Sequence, residues 1–237
     1  MARNKYPEET VQKILAVSYR LFLEKGYDHT TIQDITDALG MSKGAVYHHF
    51  KSKEAILDRI YDQYYAESGL HAAALDAPGL SGLEKLRKLL LLELTDQGKL
   101  SIDSVTLSFR SNPQLLQLML TSSIRDASPM IQRLLEEGVA DGSIHTHRPR
   151  ELAQVSILLL NVWIGLFPGS RDEFLAKFQF LKELTDGMGA PIFNEELMAA
   201  AQTYYDHFSN LLDPACPLPP PFGGRFFRSQ YIPTVGI

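Results

Sequence analysis

Ser42, Lys43, Gly44, Tyr47 and His48 crowd together near the start of a chain of 237 residues, with Lys51 and Lys53 just beyond them. A helix drawn through this stretch puts Val46 and Phe50 on one edge. The other edge carries Ser42, Lys43, Gly44, Tyr47 and His48. That edge has hydrogen-bond donors, and no carboxylate interrupts it between Asp37 and Glu54. Small residues at the start allow close approach, and the longer donors that follow reach base edges and phosphates. This is the face a helix needs to enter the major groove of duplex DNA. Rival chemistries find no footing. There is no nucleophile elbow, phosphate loop, metal-binding His pair on one helix or Gly-rich dinucleotide turn. His48 and His49 are adjacent and point about 100° apart on a helix, so they cannot chelate one metal. His145-Thr146-His147 falls in a loop with Arg148 and Pro149 that could bind a metal weakly, although most such loops are simply solvated. No catalytic residue, metal or cofactor is expected.

The elements that must position this edge read as helices. An apolar stripe through Ile14, Ser18, Leu21 and Phe22 predicts a first helix from about Pro7 to Lys25, ended by Gly26. Thr30-Thr31-Ile32-Gln33 matches a capping box opening a second helix that runs to about Leu39. Gly40 breaks it, Ser42 caps a third helix over Lys43–Phe50, and Ser52 caps a fourth toward Ser68. Two helices joined across Leu39-Gly40-Met41 fit a helix-turn-helix, with Ile32, Ile35, Leu39, Met41 and Val46 as its buried seam. The net charge of −5 says little about nucleic acid, but residues 1–53 carry +2 and the remainder −7. That asymmetry matters only if the basic residues share one face.

Here the sequence becomes specific. Thr31-Ile32, Asp34-Ile35, Ala38, Gly40, Ser42-Lys43-Gly44, Val46-Tyr47-His48, Phe50, Ser52-Lys53-Glu54 and Leu57 resemble the DNA-binding region of the TetR (tetracycline-repressor-like) family of bacterial transcription regulators. Ile14-Leu15, Leu21-Phe22 and Gly26-Tyr27 match the first helix of that family. The resemblance covers residues 8–60. One departure is Thr36, where the family usually has alanine; a small packing adjustment is expected. The resemblance implies that Thr31 binds a phosphate through its hydroxyl and N–H. It implies that Ser42, Lys43, Gly44 and Ala45 face base edges, that Tyr47 donates to a phosphate and His48 to a base or phosphate, and that Lys53 anchors the flanking backbone. Arg3 and Lys5 would form an additional arm. Each residue also has a plainer role open to it. Tyr47 could merely cover the helix junction, His49 is more at home in the structure than on DNA, and Lys51 and Lys53 could be ordinary surface lysines.

The remainder must serve this head. Further helices are predicted at about Leu83–Asp96, Ile102–Phe109, Pro113–Ser123, Pro129–Asp141, Pro149–Phe167, Arg171–Asp186 and Glu195–Leu212. Ser170 opens a capping box with Glu173, Gly187 closes that helix, and Asn194 caps the last. The fold class is therefore all-α: a helix-turn-helix DNA-binding domain over 1–52, a larger helical effector-binding and dimerisation domain over 53–212, and a Pro-rich extended tail over 213–237. Groove-reading modules of this size bind weakly alone, so a homodimer on a palindromic operator is expected. The Pro149–Phe167 helix is apolar nearly all round and should be covered on every side. Phe174, Phe178 and Leu181 could pair with it across the dimer axis, and a stripe of Leu197, Ala201, Tyr204 and Phe208 is a rival. A small-molecule effector, implied by the family, is sought where aromatics, methionines and isolated polar groups meet: Phe109, Arg110, Met119, Arg125, Met130, Asn161 and Trp163. Most such residues at helical spacing are simply core. The N-terminus has no apolar signal core and the longest apolar run is too short to span a bilayer, so a cytoplasmic protein with no membrane partner is expected. Cys216 is the single cysteine, which excludes an internal disulfide. A ligand-released repressor is the leading expectation. An activator, a regulator without an effector, a helical enzyme and a protein-binding module are the alternatives.

Overall fold

The computed structural model describes residues 7–106 and 112–211. Phe109, Arg110, the Arg3/Lys5 arm, the tail after Leu211 and Cys216 lie outside them. The described residues hold twelve α-helices and no strand.

The chain divides after Ser68 into two units. The first contains α1 (Pro7–Lys25), α2 (Ile32–Leu39), α3 (Lys43–His49) and α4 (Lys53–Ser68). Placing α4 with the head differs from a boundary drawn at residue 53. The reason is packing: α1 and α4 lie together, and Ile14, Leu15, Phe22, Tyr27, Ile56, Leu57 and Tyr64 are all buried.

The second unit is a bundle of α5 (Leu70–Leu75), α6 (Gly82–Thr95), α7 (Gln97–Thr106), α8 (Pro113–Ser122), α9 (Ser128–Asp141), α10 (Pro149–Leu158), α11 (Arg171–Gly187) and α12 (Glu195–Leu211). Its core joins Leu86 and Leu89 of α6 to Leu134 and Leu135 of α9, Leu152 of α10, Phe174 and Phe178 of α11 and Leu197 and Ala201 of α12. α6 and α9 cross at two glycines. A Cβ on Gly82 would stand 2.2 Å from the backbone nitrogen of Gly138, so only glycine permits this approach. The Asp141 carboxylate accepts from the Gly82 N–H at 2.7 Å, at the positive end of α6.

Several expectations need correction. α5 carries no strong periodic signal and is not among the helices expected from the sequence. The capping box of α2 is Thr31 with Asp34, one residue later than Thr30 with Gln33. The hydroxyl of Thr30 is already committed, donating to the carbonyls of Leu21 and Gly26 at 3.1 and 2.8 Å. Gly187 lies within the last turn of α11, and the left-handed residue is Gly189, two positions on. The long apolar helix changes to π geometry over Leu159–Leu166, and α8 runs into α9 through a second π segment, Ser123–Ala127. One side of the apolar helix faces the core, and on the other Val155, Trp163 and Phe167 are exposed, which leaves open the expectation that a second subunit covers it. The stripes of α11 and α12 proposed for the dimer axis instead face the core of their own unit. Phe174, Phe178, Leu181, Leu197, Ala201 and Phe208 are all buried there, and Tyr204 packs against them.

Candidate nucleic-acid interface

Gly40 makes the corner of the head. Its backbone is left-handed (φ 63°), and its N–H closes α2 on the carbonyls of Thr36 and Asp37. The next N–H, of Met41, donates to Thr36 O at 3.0 Å. Thr36 itself is buried and turns its hydroxyl back onto Gln33 O at 2.9 Å, so the non-alanine side chain fits without an orphaned donor. Ser42 then caps α3, accepting from Ala45 N at 3.2 Å. Val46 and Phe50 are buried against the head, and they fix which edge of α3 faces outward.

That outward edge is the one expected. Ser42, Lys43, Gly44, Tyr47 and His48 are exposed, and Ala45 is half-buried. Tyr47 is 49% exposed, which argues against its being only a cover for the helix junction. A Cβ added to Gly44 would meet nothing nearer than the Ser42 hydroxyl at 4.0 Å, so the start of α3 is bare on its outer side. His49 is half-buried and meets His48 edge to face, with ring centroids 5.2 Å apart. The face therefore offers an ammonium, hydroxyls, an imidazole and a small-residue approach, with no carboxylate among them.

The α1–α2 corner holds two surprises. Thr31 is exposed and caps α2, but its N–H donates to the Asp34 carboxylate at 2.8 Å and its hydroxyl bonds the same group. Lys25 closes on the other Asp34 oxygen at 2.8 Å. Lys25, then Thr31, hold the Asp34 carboxyl far below the usual carboxylate range. The anion site at this helix terminus is thus filled by the chain's own carboxylate. Lys53 is engaged as well. Its ammonium donates to Tyr27 O at 2.6 Å and Thr30 O at 3.0 Å and lies 4.1 Å from the centroid of the Tyr27 ring. The Tyr27 ring is buried and its hydroxyl donates to Glu54 at 3.0 Å. Nothing in the sequence spacing marked Tyr27 and Glu54 as a pair 27 positions apart.

The residues considered for an effector are only partly brought together. Asn161, in one π segment, donates to the buried Ser123 of the other at 3.0 Å. Met130 packs on the core and Met119 is half-buried. Arg125 is exposed and its guanidinium grips Asp126 at 2.9 Å, so it points away from an interior site. Trp163 stands edge-on to Phe180 at 5.7 Å, both of them exposed. A second interior polar group was not anticipated. Lys99 bonds both oxygens of Asp103 at 2.6 Å, Tyr204 donates to Asp103 at 2.8 Å, and Glu93 and His71 extend the cluster. Burial disfavours the Lys99 ammonium, but Asp103 and Glu93 outweigh it and keep it charged. Among the described residues no group of His, Cys, Asp and Glu could hold a metal, and no helix is long and apolar enough to cross a membrane.

Comparison with known proteins converges on the same region. Residues 14–60 match the family model for bacterial regulatory proteins of the tetR family. The HTH-type transcriptional repressor KstR2 of Rhodococcus jostii is 29% identical over 191 residues, 76% of this chain and 91% of its own length. An HTH-type transcriptional regulator of Bacillus subtilis, YerO, is 35% identical over 118 residues, which span 49% of this chain but only 37% of that protein. Among solved structures, a TetR-family regulator of Pectobacterium atrosepticum superposes with a TM-score of 0.60 at 24% identity, covering 79% of this chain and 97% of that one. Salmonella enterica GusR gives 0.56 at 18% identity, covering 89% and 99%. At these identities the structures speak for the fold alone.

Proposed function

Because this chain belongs to the TetR family of bacterial regulatory proteins, we propose that it is a repressor that holds a palindromic operator as a homodimer and lets go when a small molecule binds its second unit. Membership makes it a DNA-binding transcriptional regulator, and proteins of this kind are not enzymes and act as dimers. Ser42, Lys43, Gly44 and Ala45 read base edges, and Tyr47 and His48 reach the backbone beside them. One observation carries this assignment: the carboxylate-free edge of α3 is the exposed one, pinned outward by buried Val46 and Phe50. Repression is favoured because the relative aligned along most of its length, KstR2, is a repressor.

The dimer contact is placed on Val155, Trp163, Phe167 and Phe180, the exposed apolar side chains of α10, its π continuation and α11. The effector is placed between the two π segments, near Asn161, Ser123, Met119 and Met130. Widened helical turns of this kind recur at functional sites.

Lys43→Glu tests the head. It adds a carboxylate to the proposed reading edge at an exposed position, so the chain should melt as before and lose duplex binding. Unchanged binding would refute the assignment of α3. The effector reading is tested by screening compounds for quenching of Trp163 fluorescence and for release of bound duplex. A compound that binds at the Asn161–Ser123 pair without changing DNA affinity would refute the switch.

A further inference from the structure

Building on the placement of the effector between the two π segments, we propose that this ligand is an uncharged, mainly apolar molecule held through one hydroxyl or carbonyl by the Asn161–Ser123 pair. Charge is the first constraint. Residues 152–168, which include the whole Leu159–Leu166 segment, hold no Asp, Glu, Lys, Arg or His. Residues 112–127, which include α8 and the Ser123–Ala127 segment, hold only Arg125 and Asp126, and these are exposed and paired with each other. An ionised head group between the two segments would leave water and meet no counter-charge from either. A neutral head group avoids that cost.

The walls are apolar and incompletely covered. A helix with one side on a solid core and the other in water alternates buried and exposed residues around each turn. Residues 157–162 do not: all six are half-buried, and they span more than a full turn. Leu116, Leu118 and Met119 of α8 and Met130 of α9 are half-buried as well. The side that carries Val155 and Trp163 is assigned to the second copy, whereas Asn161 faces the chain's own Ser123.

Hydrogen-bonding capacity is left over at that point. Asn161 has a carbonyl and two amide protons, and a serine hydroxyl both donates and accepts. One bond is made, from Asn161 Nδ2 to Ser123 Oγ at 3.0 Å. Among the described residues no further bond reaches the Asn161 carbonyl or leaves the Ser123 hydroxyl. Ser156 adds a third group. It lies on the buried face of α10, which packs on the Ser123–Ala127 segment; it is 6% exposed, and its hydroxyl has no partner. Buried polar groups are nearly always bonded. Unmet donors and acceptors on packed apolar segments therefore fit a ligand oxygen: a hydroxyl donates to the Asn161 carbonyl and accepts from Ser123, and a carbonyl accepts from Ser123.

Four probes on one cyclohexyl frame separate the ligand classes: cyclohexanol, cyclohexane, cyclohexanecarboxylate and cyclohexylammonium. Each is titrated at neutral pH into the full chain, isotopically labelled at its methionine methyls and followed by NMR. Met119 and Met130 report on the site, their signals assigned by Met119→Leu and Met130→Leu. Cyclohexanol should shift both signals and bind about tenfold tighter than either ion, or more, because neither ion finds a counter-charge. Asn161→Leu keeps the volume of the side chain and removes its polar end. It should weaken cyclohexanol about two- to tenfold, the order of one hydrogen bond, while cyclohexane binds at least as tightly as before. The Met41 and Met198 signals show whether both units of the variant stay folded. A carboxylate or ammonium bound as tightly as the alcohol overturns the proposal, and this wild-type comparison decides it even where the variant fails to fold. So does an alcohol-to-alkane affinity ratio that Asn161→Leu leaves unchanged. If no probe moves Met119 or Met130, the placement of the site falls first and the proposal with it; if the probes move them, only the order of affinities decides.

Discussion

At the scale of single residues, the head combines groups that are free to contact DNA with groups that are already spent. Tyr47 belongs to the first kind. Tyr47→Phe removes a hydroxyl that is exposed, so it should leave thermal stability unchanged while weakening operator binding by about 1 kcal/mol per protomer, one neutral hydrogen bond; a filter-binding titration paired with a melting curve checks both halves. Tyr27 and Asp34 belong to the second kind, and their linkage to pH can be signed. Burial and the neighbouring Glu54 carboxylate push the Tyr27 phenol well above its ordinary pKa. A raised pKa means stability that is complete below the unfolded value, about 10, and lost as the pH climbs beyond it. The Asp34 carboxyl is depressed by Lys25 and Thr31. Glu54 is also depressed: burial alone would raise it, but hydrogen bonds from its own N–H, Ser52 and Tyr27 prevail. Stability from these two is complete above about pH 4 and lost as the pH falls through their lower folded values. Protection over residues 27–35 of the full chain, that is, exchange corrected for its intrinsic dependence on pH, should therefore be highest near neutrality and fall at both extremes. Tyr27→Phe should abolish the alkaline loss of protection and, by removing one hydrogen bond from Glu54, shrink the acid one; an alkaline loss that survives would contradict the assignment.

At the scale of elements, legibility followed local chemistry. Gly40, Ser42, Ser52, Ser170 and Asn194 announce turns and caps because their effect is confined to a few neighbouring residues, and the structure uses each in that way. The candidate reading edge was legible for the same reason, since one short helix carries nearly all of it. What escaped depends on partners distant in sequence. The capping box slipped by one residue because Thr30 is claimed by the end of α1, which no spacing rule reveals. Lys53 looked like a surface cation because its carbonyl partners lie 23 and 26 positions away. The stripe of α11 was apolar as expected, but periodicity cannot say whether such a stripe meets its own core or another chain. The Gly82–Gly138 crossing was equally silent, glycine being unremarkable in a sequence until a second backbone arrives beside it. Gly82→Ala forces backbone against backbone there and should destabilise the second unit by about 1–3 kcal/mol, seen as a lowered Tm with the head's hydrogen exchange unchanged. Lys99→Met should cost a similar amount, about 1–3 kcal/mol, because it leaves the part-buried Asp103 and Glu93 carboxylates without their cation. A Tm within a degree of wild type would mean the cluster is open to water.

At the scale of the whole molecule, the account requires two copies. One α3 buries too little surface to discriminate an operator, and reading two half-sites about 34 Å apart multiplies a weak contact into a specific one. The exposed group of Val155, Trp163, Phe167 and Phe180 is where the second copy is placed. Phe180→Glu should therefore shift the chain from dimer to monomer in sedimentation without unfolding it, and should remove cooperative operator binding with it. Should the variant remain dimeric, the symmetric contact lies elsewhere. The central claim, that paired α3 helices read a duplex, is met most directly by selection. The full-length wild-type chain is incubated with a random-sequence duplex pool at low ionic strength, and the retained molecules are sequenced through successive rounds. The account predicts an inverted repeat whose half-sites lie one helical turn apart or a multiple of it, and enrichment that vanishes with Lys43→Glu. A pool that stays random after every round, or one enriched equally by that variant, would contradict it.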